Sequence, residues 1–129
     1  MADVNRGNRP LSPFMLGQYY RPQMGSVTSI INRITGVGLL LGALLCVWWL
    51  VAAAAGPDYY ALVDGIITSF IGDLIMFLSM WALWYHALAG VRHLIWDAGY
   101  GLEVEIAEKM GYMVIGGSVV LTIITAIAV

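Results

Sequence analysis

Three apolar stretches leave this chain little choice of fold. Ile34 to Ala55, about Gly72 to Ile95 and Met110 to Val129 are each of the length that spans a bilayer as an α-helix, which takes about 20 predominantly apolar residues. Hydrocarbon offers the backbone no water, so each stretch must satisfy its own N–H and C=O groups by coiling. The fold class is therefore all-α: an integral membrane protein with three transmembrane helices, at about 26–55, 68–96 and 104–128, in one membrane domain over residues 1–129. Only 11% of the residues are charged, against roughly 25% in a soluble domain, and little chain remains for a separate soluble unit. No cleavable signal is expected, because mostly polar sequence precedes the first apolar run and that run is too long for a signal core.

The charges orient the bundle. Arg6, Arg9, Arg21 and Arg33 precede the first span and Arg92 and Lys109 flank the second connection, while the connection from Gly56 to Ile71 carries Asp58 and Asp64 and no basic residue. The positive-inside rule then puts the N-terminus in the cytoplasm and the C-terminus on the periplasmic side. A net charge of −2 argues for no nucleic-acid or acidic partner; the lipid bilayer is the partner that composition implies. Residues 1 to about 25 hold Pro10, Pro13 and Pro22 and no apolar periodicity, which reads as an irregular arm on the cytoplasmic face. The lone Cys46 can form no intramolecular disulfide and reads as a small buried apolar residue.

Both histidines fall in the second span, in Trp81-Ala-Leu-Trp-Tyr-His-Ala-Leu-Ala-Gly-Val-Arg-His-Leu-Ile-Trp-Asp97. Seven residues apart on a helix, His86 and His93 return to within about 20° of one face, roughly 10.5 Å along the axis. Gly90, one turn after His86, bares the backbone of that stripe, so a flat body could approach it closely. An imidazole above a bare patch suits a porphyrin; a histidine that hydrogen-bonds another helix is the competing reading, and spacing does not choose between them. Arg92 lies about 120° from His86 around the helix, so only its long side chain could bend to a ligand there.

The first helix opens with a polar face. Thr28 and Asn32 are i, i+4 neighbours, as are Ser29 and Arg33, and the two rows lie side by side just inside the cytoplasmic boundary. Lipid is a poor neighbour for such a face, although Arg33 could also snorkel to phosphate with the hydroxyls bonded back to the helix. Further along, Gly38 and Gly42 have the small-xxx-small spacing of close helix approach. The connection from Gly56 to Ile71 shows no constellation that carries chemistry.

Taken in order and spacing, Arg9-Pro-Leu-Ser-Pro13, Ser29-Ile-Ile-Asn-Arg-Ile-Thr-Gly36 and His86-Ala-Leu-Ala-Gly-Val-Arg-His-Leu-Ile-Trp-Asp97 resemble the cytochrome b556 family of membrane-anchor subunits of succinate dehydrogenase, respiratory complex II. The resemblance implies a bacterial cytoplasmic-membrane anchor that pairs with a second small anchor subunit and docks an iron-sulfur subunit, itself bound to a flavoprotein that oxidises succinate. By position it implies His86 as the axial ligand of haem b, His93 and Arg92 as groups near the haem propionates, and Ser29 and Arg33 as the ubiquinone-site pair. Asn32 stands where relatives usually carry a propionate-directed histidine, and Phe14 where many carry histidine; Asn32 still donates a hydrogen bond but holds no charge.

The chain's own inventory limits the chemistry. Two histidines on one helix face cannot grip one iron from opposite sides, so a six-coordinate haem b needs a ligand from elsewhere, most simply the second anchor subunit. For ubiquinone, a Ser29 hydroxyl can bond a carbonyl and Arg33 supplies a fixed positive charge. No flavin, iron-sulfur or nucleotide motif is present, so succinate oxidation belongs to other subunits. The anchor of a fumarate reductase, a stand-alone homo-oligomeric cytochrome b and a haem-free transporter or scaffold are the alternatives. Co-purifying flavin separates the first two, and a b-type band excludes the last.

Overall fold

Helix α1 runs from Met24 to Ala55, α2 from Pro57 to Ile67, α3 from Phe70 to Asp97 and α4 from Val104 to Ala128, in a computed structural model that describes residues 20–128. The N-terminal arm, with Arg9, Phe14 and the Arg9–Pro13 motif, lies outside the described residues. Helices α1, α3 and α4 are each long and apolar enough to cross a membrane, and their outward faces carry Leu40, Leu44, Leu50, Leu83, Val120 and Ile124, all largely exposed. Such faces are stable only against hydrocarbon or another helix, and the chain is a multi-pass membrane protein.

The ends of the helices follow from local chemistry. At the start of α1 the Ser26 hydroxyl takes the Gln23 N–H at 3.1 Å and donates to the Gln23 carbonyl at 2.8 Å, filling backbone groups that the first turn leaves free. Gly56, at φ 140°, breaks α1 from α2, which then opens on Pro57 with Asp58 in its first turn, a residue order that suits a helix N-terminus. Ser69 caps α3 by accepting from the Gly72 N–H at 3.2 Å. The turn from α3 to α4 takes Gly99 and Gly101 through positive φ and is closed by Trp96, whose indole donates to the Gly101 carbonyl at 3.1 Å.

The short helix α2 is the element missing from the sequence reading, where its residues formed a plain connection. It folds back on the end of α1: Val63 and Ile67 pack on Ala52 with Trp48 and Met76 around them. The Trp48 indole donates to the Tyr59 hydroxyl at 2.8 Å and that of Trp49 to Asp64 at 3.1 Å.

Helices α1 and α3 run antiparallel along a shared seam. Thr28 meets Arg92, Thr35 meets His86 and Gly42 meets Ser79, every seventh residue of α1 against steps of six and seven on α3, close to the heptad spacing of a left-handed helix pair. At the last of these points a Cβ on Gly42 would stand 2.8 Å from that of Ser79, so only glycine lets the backbones come this close. Gly38, its partner in the small-xxx-small pair, has open space beside it. The other core lies among α1, α3 and α4, where Tyr85, Ala89 and Val114 are buried with Ile31, Trp81, Leu88 and Ile115 around them.

Candidate functional site

His86 sits half-buried on the seam. Its Nδ1 lies 3.5 Å from Thr35 Oγ1, and a Cβ on Gly36 would approach its Cε1 to 3.3 Å. Gly36 thus gives the imidazole edge a bare stretch of α1 to rest on. His86 Nε2 has no hydrogen-bond partner among the described residues. Gly90, one turn along α3, is exposed and has open space where a side chain would be. His93 is exposed a further turn along, set edge-on against Trp96 with ring centroids 5.4 Å apart.

The polar residues of α1 divide between two sides of the helix. Thr28 and Thr35 point into the bundle, 1% and 3% exposed. Ser29 and Arg33 are exposed and Asn32 is half-buried; around α1 they lie with Gly36 within about 100° of one another. His86 rests over Gly36, so the same side of the α1–α3 pair presents Ser29, Asn32, Arg33 and the open edge of the imidazole. Asn32 Oδ1 is buried there without a partner. Farther along the α1–α3 pair lies an open apolar groove of about 310 Å³ lined by Leu39, Ala43, Cys46, Met76, Met80 and Leu83.

Arg92 does something different. Its side chain turns into the bundle, 5% exposed, where Nη2 donates to Thr28 Oγ1 at 3.2 Å and the guanidinium carbon lies 4.4 Å from the centre of the Trp96 ring. Nε has no partner, and no carboxylate pairs with this charge among the described residues. Directly below, the Tyr85 hydroxyl donates to the Thr28 carbonyl at 2.9 Å. Sequence reasoning treated Tyr85 as packing and quoted Thr35 only inside a motif. Neither residue carried a signal of its own, because the register that brings Thr28 to Arg92 and Thr35 to His86 is set between the helices.

Chemically, the site has no group of three or more His, Cys, Asp or Glu able to hold a free metal ion among the described residues. What it offers is one imidazole nitrogen without a partner among the described residues, near the bare backbone of Gly90, with hydrogen-bond donors and a cation on the facing helix. These properties define a membrane-embedded helix bundle with a half-buried histidine on a helix seam. A model of the succinate dehydrogenase/fumarate reductase transmembrane subunit matches residues 5–125, and the chain belongs to that family. It is 55% identical to the succinate dehydrogenase cytochrome b556 subunit of Paracoccus denitrificans over 98% of this chain and 96% of that one. The subunit of that name from Rickettsia conorii is 35% identical, covering 90% and 89% of the two chains. The cytochrome b560 subunit of Reclinomonas americana is 34% identical over 91% and 83%.

Proposed function

We propose that this chain, the cytochrome b membrane subunit of a succinate dehydrogenase complex, ligates haem b through His86 and forms part of a quinone-reducing site with Ser29 and Arg33. The observation that carries the reading is the shared side: His86 over Gly36 and the Ser29, Asn32 and Arg33 face lie on one side of the α1–α3 pair. The residues suit a porphyrin on three counts. Nε2 of His86 lacks a partner, Gly90 leaves the backbone of α3 bare one turn along, and the unpartnered Asn32 Oδ1 lies on the same side of the helix pair. A second anchor subunit supplies the opposite ligand, since His93 shares a helix face with His86 and cannot reach round.

Haem b, when bound, supplies a one-electron store beside the quinone. The rest is done by side chains. His86 would ligate the iron through Nε2, and His93 and Asn32 would be available to hydrogen-bond the group's carboxylates. Arg92, a buried cation with no acidic partner among the described residues, makes that end favourable for an anion, because an uncompensated buried charge is costly. Ser29 donates its hydroxyl proton to a quinone carbonyl, and Arg33 stabilises negative charge as the headgroup is reduced. Electrons come from an iron-sulfur subunit docked at the end of the bundle that carries Ser29, Arg33 and Asp97, which faces the cytoplasm of the bacterial cell.

Two measurements test this. Quinone reductase activity per assembled complex, divided by succinate oxidation with an artificial acceptor that bypasses the membrane, isolates the quinone site. Neutral hydrogen bonds are worth about 0.5–1.5 kcal/mol and charge-assisted ones about 1.5–3, so Ser29→Ala should lose roughly three- to tenfold and Arg33→Leu ten- to 150-fold. Unchanged ratios in both variants would remove the quinone assignment. For orientation, a reporter active only outside the cytoplasm should be silent when fused near Gly101 and active when inserted near Asp58 or after Val129; the reverse pattern would overturn the topology.

A further inference from the structure

We infer that Thr35 is a positioning residue for His86: its hydroxyl accepts a hydrogen bond from Nδ1–H, fixing the tautomer that leaves Nε2 for a ligand and strengthening that nitrogen as an electron donor. The inference rests on the haem reading above and adds the atom that holds the imidazole. The argument is one of proton accounting. Thr35 Oγ1 has one hydrogen, and it is directed at the Asn32 carbonyl at 3.0 Å. Toward His86 Nδ1, 3.5 Å away, the oxygen therefore has only lone pairs to offer, and the proton between them belongs to the imidazole.

The same device recurs wherever α3 sends an N–H to a neighbouring helix. The Trp81 indole donates to Ser118 Oγ at 3.2 Å while Ser118 donates to the Ile115 carbonyl. That of Trp84 donates to Thr125 Oγ1 at 3.0 Å while Thr125 donates to the Leu121 carbonyl. Arg92 donates to Thr28 Oγ1 at 3.2 Å while Thr28 donates to the Met24 carbonyl. Indole and guanidinium can only donate, so in these three the hydroxyl must be the acceptor. Thr35 and His86 form the fourth member. At 3% exposure the Thr35 hydroxyl has little access to water as an alternative partner, and no other acceptor for Nδ1 exists among the described residues. A ligating histidine whose second nitrogen donates to an oxygen is more basic at the first and turns less freely.

The test is a potentiometric titration of the b-type absorbance band and the low-spin haem resonance position in the assembled complex, for wild type, Thr35→Val and Thr35→Ser. Valine keeps the shape and removes the acceptor; serine keeps the acceptor. Losing the bond makes His86 a weaker donor to ferric iron, so Thr35→Val should shift the reduction equilibrium toward the ferrous form by about two- to fivefold, which is ~20–40 mV at 59 mV per decade for one electron. Thr35→Ser should stay within the error of wild type. Haem lost from the valine variant and kept by the serine variant also supports the inference. Equal shifts in both, loss from both, or a valine variant identical to wild type in potential and resonance would overturn it. The haem reading is checked separately: a His86→Ala complex that keeps its b-type band refutes that reading, whereas an unshifted Thr35→Val with a band-free His86→Ala refutes only the role of Thr35.

Discussion

Toward α4, helix α3 makes bonds that begin and end within the chain, whereas toward α1 it leaves polar atoms unmatched. Trp81 and Trp84 reach Ser118 and Thr125, and Leu88 packs so closely on Gly117 that a Cβ there would approach it to 3.1 Å. Along the α1 side Asn32 Oδ1 and Arg92 Nε are buried without partners, and His86 keeps one nitrogen open. Both sides use the same kinds of residue. One interface satisfies its polar side chains from within and the other does not, so the first serves as internal control for claims about the second.

The largest effect expected from this contrast is all or nothing. His86→Ala should abolish the b-type spectrum of the complex, since an axial imidazole is a direct iron bond, while Ser118→Ala on the opposite side should leave the band in place. A normal low-spin band in the His86 variant would erase the distinction between the two interfaces. Next comes Gly42→Ala, whose new Cβ would stand 2.7 Å from Ser79 Oγ; overpacking of this kind costs typically 1–3 kcal/mol. Denaturant titration of the complex in detergent should show that loss, and pairing the change with Ser79→Gly should recover most of it. Failure of the second change to recover stability would mean that the seam does not close through this contact.

A smaller change is expected at Trp84→Phe, which deletes one interhelical hydrogen bond, worth about 0.6 kcal/mol on average and up to about 1.7 within membranes. Thermal unfolding should move down slightly with an unaltered haem potential. A shifted potential would show that the α4 side communicates with the haem and that the two interfaces are not independent. At the bottom of the scale, Lys109→Ala breaks only an exposed i, i+4 pair with Glu105, and stability and activity should both stay within error.

The three long helices were legible because length and apolar content leave hydrocarbon only one backbone solution. Helix α2 was not, although Pro57 and Asp58 are a recognisable helix opening; its 11 residues hold Asp58, Asp64 and two tyrosines, and Val63 and Ile67 reveal a face only once Ala52 is there to cover it. The histidine stripe was legible as a stripe, from angle alone. That only His86 of the two lies on the seam with α1 depends on the register between helices separated by some 50 residues, which periodicity within either helix cannot supply. Arg92 shows the same limit from the other direction. Its angle of about 120° from His86 was visible, but its direction into the bundle follows from Thr28 and Trp96 being there to receive it.

The contact between Arg92 and Thr28 also carries a consequence for the order in which the protein is made. The two residues are 64 positions apart, and α1 emerges from the ribosome well before α3. Until those helices meet, the only companions available to the guanidinium are water and lipid headgroups, which it reaches by stretching toward the membrane surface. Covering it requires α1 to be already inserted and waiting at the correct depth. Burial of Arg92 therefore reports on α1 as much as on α3: the charge is covered only in a chain whose first helix already stands where Thr28 can receive it.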